Sequence, residues 1–187
     1  MDIYKVKFTK LQIEIFRLFC LKSGASLSQR ELARLLKVSP TAIGNSLNLL
    51  IKEDFLKIKK TGKIKMNLIE LNRDNSKVID IKRVENLRTV YESGLADFLR
   101  KELPGSDIIL FGSYANGNDV WFGEDDEKNS DLDIAVIGRK EKDINLENFE
   151  KILKKKIIIN FYENWNIHKH LKESILNGIT LVGGIEI

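Results

Sequence analysis

Cysteine and proline are scarce here: one and two in 187 residues. With Cys20 alone there is no disulfide framework and no cysteine metal site, and its apolar helical surroundings make it a small core residue. The two prolines mark expected helix boundaries, Pro40 opening one helix and Pro104 closing another. No run of about 18 apolar residues occurs, so no membrane span is expected. The N-terminus lacks the basic-then-apolar order of a signal peptide, and a cytoplasmic protein is the expectation. Repeats and low-complexity tracts are absent. What remains is 43% hydrophobic, enough for one or two small cores.

Charge divides the chain. Residues 1–72 carry 14 Lys and Arg against 6 Asp and Glu, whereas residues 73–187 carry 17 against 21. Such asymmetry suggests two domains with different partners, the basic one facing polyanions. The expected divisions are a domain at 1–72, a connecting helix at 73–104 and a second domain at 105–187.

In the basic part, Leu11, Ile15, Leu18 and Phe19 have helical spacing. Ser28 with Glu31 reads as a capping box for a second helix through Leu36. Ser39 and Pro40 open a third, with Ile43, Leu47, Leu50 and Ile51 on one face and Thr41, Asn45, Asn48 and Lys52 on the other. Phe55–Lys59 and Lys63–Leu68 alternate with period two around a Lys60-Thr61-Gly62 turn, which predicts a hairpin. Helix, helix-turn-helix, hairpin resembles the winged helix-turn-helix family, an all-α module with a β-wing. That resemblance implies double-stranded DNA as partner. Thr41, Asn45 and Asn48 would read base edges. Lys52 and the wing residues Lys57, Lys59, Lys60, Lys63 and Lys65 would contact phosphates. The bland alternative is a protein–protein module whose lysines guard a hairpin edge.

Residues 74–102 read as one amphipathic helix with a stripe at Val84, Leu87, Tyr91, Leu95 and Phe98, weakened at Gly94. Further on, Ile108-Ile109-Leu110-Phe111 and Ile134-Ala135-Val136-Ile137 read as buried strands. The first ends in Gly112-Ser113. The second opens with Ser130-Asp131-Leu132-Asp133, whose carboxylates share a face roughly 6–7 Å apart along the strand. Two like charges beside an apolar run are costly unless a cation lies between them, and magnesium suits hard oxygen ligands. Gly112 would let backbone approach a phosphate; Ser113 would cap the next helix or donate its hydroxyl to the phosphate chain. Between these elements, the tract from Asp119 to Glu127 reads as a solvated acidic loop, or else as a lid or partner contact through Trp121 and Phe122. Lys154-Lys155-Lys156 reads as a solvated helix end.

Gly-Ser on one strand end and Ser-Asp-x-Asp on the next resembles the nucleotidyltransferase superfamily related to DNA polymerase beta. The minimal bacterial and archaeal members are the most similar. The implied fold is α/β (α+β) with a small mixed sheet. The resemblance implies Mg2+ or Mn2+ held by Asp131 and Asp133, a nucleoside triphosphate bound at Gly112 and Ser113, and transfer of a nucleoside monophosphate to a protein or RNA acceptor. The family's third acidic residue corresponds to Asn160, a weaker neutral oxygen ligand. Relatives of this type often pair with a helical HEPN-type toxin, which makes such a protein a candidate partner; winged helices also serve as dimerisation platforms, which makes a homodimer another candidate. The other reading is a DNA-binding regulator or antitoxin whose nucleotidyltransferase domain is catalytically weak or inactive.

Overall fold

The computed structural model describes residues 7–60, 67–124 and 127–184, Lys60 by its backbone alone. Its chain divides into two compact units, one running to Val78 and including Trp121–Glu124, the other made of Ile79–Val120 and the residues from Asp125 on.

The first unit contains α1 (Lys10–Leu21), β1 (Leu27–Ser28), α2 (Gln29–Leu36), α3 (Pro40–Lys52), β2 (Leu56–Lys60) and β3 (Asn67–Leu71). Local sequence sets the helix starts. The Ser28 hydroxyl accepts from the Glu31 N–H while the Glu31 carboxylate accepts from the Ser28 N–H. The backbone bond and then the hydroxyl hold the Glu31 carboxyl below its usual range. Ser39 accepts from the Ala42 N–H, with Pro40 in the first turn. Thr9 and Gln12 form a further capping box on α1 that the sequence reading passed over. Ile15, Phe16 and Phe19 of α1 and Ile43, Leu47 and Leu50 of α3 are all buried, and Phe55 meets Phe16 edge-on at 5.2 Å. The three strands pair antiparallel in the order β1-β3-β2. This is a winged helix. The wing's expected turn at Thr61-Gly62 and the first residues of its second strand lie outside the described residues.

The segment Trp121–Glu124 is part of this unit. Trp121 forms a parallel bridge with Gly24 and donates its N–H to the Ser23 carbonyl. The Lys22 ammonium stands 3.5 Å from its ring centroid, and the ring is buried. A wholly solvated loop is therefore corrected: the indole and a cation offer each other an attraction that charge counting does not register. Asp125 and Asp126 lie outside the described residues.

The remaining elements are α4 (Ser76–Glu92), α5 (Leu95–Glu102), β4 (Asp107–Phe111), α6 (Gly112–Ala115), β5 (Leu132–Ile137), α7 (Glu147–Leu153), β6 (Ile157–Tyr162), α8 (Lys169–Leu176) and β7 (Ile179–Val182). The sheet order is β6-β5-β4-β7. β4 runs antiparallel to β5 and β7, and β5 parallel to β6, so the sheet is mixed. Ile108, Leu110, Ile134 and Val136 pack on one face with Val90, Leu95, Leu99 and Leu153. Ile109, Phe111, Ala135 and Ile137 pack on the other with Ile175 and Leu171 of α8. Asp133 belongs to this second face by strand alternation.

The expected single helix at 74–102 is two. Gly94 takes φ +79° and starts α5 afresh, a conformation that L side chains resist. The expected stripe holds only in part for α4: Leu87 packs against the core, but Val84 and Tyr91 are 64% and 47% exposed, while Lys82 and Asn86 are buried. The inward face of α4 mixes apolar Val78 and Val90 with polar Lys82 and Asn86, a mixture that helical periodicity does not reveal.

Candidate functional site

Strand β5 starts at Leu132, so Asp131 stands just before it and Asp133 is its second residue. Asp133 pairs across the antiparallel ladder with Phe111, the last residue of β4. The chain turns immediately after Phe111. Gly112 takes φ +73°, and a Cβ there would stand 2.7 Å from Asp133 Oδ2. The Gly-Ser turn and the second aspartate are thus in contact, which spacing alone left open. Gly112→Ala is expected to cost about 1–2 kcal/mol for the left-handed backbone alone and to push the carboxylate aside; chemical denaturation measures the first effect. Ser113 is the second residue of α6, whose N-cap is Phe111. The capping alternative for Ser113 is therefore corrected.

Asp133 is half-buried. Burial first, and then the neighbouring Asp131 charge, hold its carboxyl above the usual range. A carboxylate made reluctant to ionise by a like charge is one that a cation relieves, and two oxygen ligands suit a hard divalent ion. On the neighbouring parallel strand, Ile158 is the register partner of Asp133, and Asn160 that of Ala135. Asn160 therefore shares the face of Asp133 but lies two register pairs further along. It lines a pocket of about 420 Å³ with Arg139, Glu163 and others, and neither aspartate lines that pocket. Among the described residues, no group of three or more His, Cys, Asp or Glu side chains gathers as metal ligands.

In the winged helix, Thr41, Asn45, Asn48 and Lys52 are all exposed along α3, while Ile43, Leu47 and Leu50 are buried. Lys57 donates to Asp74 at 2.7 Å and stands 3.5 Å from Glu70, its register partner. The bond to Asp74 raises the Lys57 pKa despite some desolvation. Lys59 stands 3.7 Å from Glu70. The lysines of the wing's first strand thus meet counter-charges on β3 and just after it. The Lys60 side chain, Lys63 and Lys65 lie outside the described residues.

The family model of the nucleotidyltransferase domain matches residues 92–182. Residues 92–182 are a nucleotidyltransferase domain. No curated protein matches the chain by sequence. Among solved structures, a mutant ZitR of Lactococcus lactis is 18% identical over 55% of this chain and 66% of that one, with a TM-score of 0.41. Wild-type L. lactis ZitR in complex with DNA is 22% identical over 54% and 64%, with a TM-score of 0.38. The adhesin competence repressor AdcR of Streptococcus pyogenes is 20% identical over 56% and 72%, with a TM-score of 0.42. This chain spans just under two thirds of the length of those two ZitR chains. The winged-helix assignment rests on the elements themselves. No helix among the described residues is long and apolar enough to cross a membrane.

The second unit, from Ile79 on, encloses a charged cluster that sequence reasoning missed. Asp119 is 1% exposed. Its Oδ1 accepts from Lys82 Nζ and, at 2.7 Å, from Asn86 Nδ2. Its Oδ2 stands 3.1 Å from Lys155 Nζ in an ion pair. Asn86 also donates to the Tyr114 carbonyl in α6 at 2.9 Å. Lys155, expected as part of a solvated helix end, is buried. The local sequence marks only an aspartate two residues after the Gly117 turn; Lys82 lies in a charged helix and Lys155 in a run of three lysines, and only the tertiary fold brings them together.

Proposed function

We propose that the nucleotidyltransferase domain transfers a nucleoside monophosphate from a nucleoside triphosphate to a protein or RNA acceptor, and that the winged helix binds double-stranded DNA. The observation that carries the first part is the fit of Gly112 beneath the Asp133 carboxylate. It supports a turn that meets phosphates next to the Asp133 carboxylate, which with Asp131 would hold Mg2+ or Mn2+. A divalent cation held by Asp131 and Asp133 would supply charge neutralisation for the triphosphate. The chain's own residues do the rest: Gly112 gives close backbone approach, Ser113 offers its hydroxyl to the phosphate chain, and the carboxylates orient the bound group. Nucleotidyl transfer depends on such positioning and electrostatics more than on covalent help from protein.

The test is incubation with labelled ATP and Mg2+, alone and with the products of neighbouring genes. Label transfer that vanishes in Asp131→Ala and Asp133→Ala supports the enzyme. Nucleotide binding without transfer to any acceptor favours a regulator with a weak or inactive domain. A specific observation favours that second reading: Ile158, not an acid, stands beside Asp133 on the neighbouring strand.

For the winged helix, the exposed row Thr41, Asn45, Asn48 and Lys52 on α3 supports base and phosphate contacts in a major groove. Asn45→Ala and Asn48→Ala are each expected to weaken specific DNA binding by about 1–3 kcal/mol. Binding is expected to fall steeply with salt through counterion release. Affinity measured across a salt series by fluorescence anisotropy checks both, and salt-insensitive binding would sink the proposal.

A further inference from the structure

Asp131 is held from both sides by backbone that the buried charge cluster controls. On its N-terminal side, the Ser130 hydroxyl accepts from the Val120 N–H at 3.0 Å, and the Ser130 N–H donates to the Val120 carbonyl at 3.0 Å. That carbonyl also accepts from Lys155 Nζ at 2.6 Å. On its C-terminal side, the Leu132 N–H donates to the carbonyl of Lys156 at 2.8 Å. Lys155 Nζ in turn stands 3.1 Å from Asp119, the residue before Val120. One dipeptide, Lys155-Lys156, therefore serves both flanks of Asp131, and one carboxylate, Asp119, fixes the ammonium that serves the first.

We propose that Ser130 and Lys155 are positioning residues for the Asp131–Asp133 pair. They act through the Val120 peptide and set where the Asp131 backbone enters β5. This deepens the metal-binding reading above and rests on it. Two carboxylates that repel each other splay apart unless something fixes them. Asp133 is fixed by its place in the ladder opposite Phe111. Asp131 precedes the strand and has no ladder pairing of its own. The Ser130–Val120 pair supplies the constraint that the ladder does not. A fixed spacing between the two carboxylates lowers the cost of assembling the ligand pair around a hard cation.

The test uses the full chain and Mn2+ alone, with free Mn2+ read by electron paramagnetic resonance and no turnover needed. Ser130→Ala, which keeps its backbone donor and loses only the hydroxyl, is expected to weaken Mn2+ binding about tenfold. Ser130→Thr, which keeps the hydroxyl, is expected to retain wild-type affinity. Lys155→Met is expected to weaken binding like Ser130→Ala. Ser130→Ala carries the test if the methionine variant does not fold. A merely structural serine would lower the melting temperature and leave Mn2+ affinity unchanged. Unchanged affinity in folded Ser130→Ala therefore overturns the positioning role while the aspartate pair stands. Wild-type protein that binds Mn2+ no better than Asp133→Asn overturns the aspartate reading, and this proposal with it.

Discussion

Asp119→Ala is expected to destabilise the nucleotidyltransferase unit by about 3–5 kcal/mol, the cost of removing one partner from a buried ion pair. The side chains of Lys82 and Lys155 are 0% and 1% exposed, and both contact this carboxylate. Without it, two ammonium groups share a low-dielectric pocket and repel each other. Asn86 Nδ2 loses one of its two acceptors and keeps the Tyr114 carbonyl. For a domain of this size, the melting temperature falls by at least about 12 °C. Asp119→Asn keeps an acceptor but not the charge, so it is expected to be the milder variant and still clearly destabilised. Urea denaturation at neutral pH separates the three proteins. A wild-type midpoint in Asp119→Ala would show that the cluster contributes no net stability.

The same cluster explains which parts of the fold could be read from the sequence. Ser28, Glu31, Ser39 and Pro40 act on backbone within three residues of themselves, so the starts of α2 and α3 follow from adjacent letters. The apolar strands β4 and β5 are likewise legible, because each is buried on both faces. Helix α4 is not. Its apolar residues Val84 and Tyr91 are exposed and its polar Lys82 and Asn86 are buried. The reason lies 33 and 37 residues away at Asp119. Periodicity assumes that the interior is apolar, and here one interior partner is a carboxylate. The wing shows the same limit in milder form. Its lysine count suggested a phosphate-facing surface, but Lys57 and Lys59 meet Glu70, with Asp74 also bonded to Lys57. The candidate site lies between these extremes. Gly112-Ser113 and Asp131-Leu132-Asp133 were recognisable as motifs, whereas the contact of Asp133 with Gly112 and the clamp on Asp131 depend on pairings that only the folded sheet makes.

Asp133→Asn is expected to lower the proposed nucleotidyl transfer by about 10²–10³-fold, the scale of losing one group that stabilises developing charge, and at the same time to raise stability at neutral pH. The sign follows from the raised carboxyl pKa, which burial and Asp131 together produce. The unfolded chain releases this proton in the ordinary carboxylate range, while the folded chain holds it to higher pH. Between those two values the folded state binds more protons, so stability falls as pH rises through the window and stays lower above it. The asparagine variant has no such proton to lose. Its advantage over wild type is present at pH 7, fades as pH falls from the raised folded-state value to the ordinary carboxylate range, and is gone below that range, where both folded and unfolded wild type are protonated. Divalent cation reverses the order. Binding at 100 times the dissociation constant adds about 2.7 kcal/mol to a protein that binds only when folded, so Mg2+ or Mn2+ raises the wild-type melting temperature and leaves Asp133→Asn nearly unmoved. Melting curves of the two proteins across pH, each with and without Mn2+, read both effects. An asparagine variant no more stable than wild type at pH 7 would contradict the electrostatic account of Asp133, and an equal Mn2+ response in the two proteins would place the cation elsewhere.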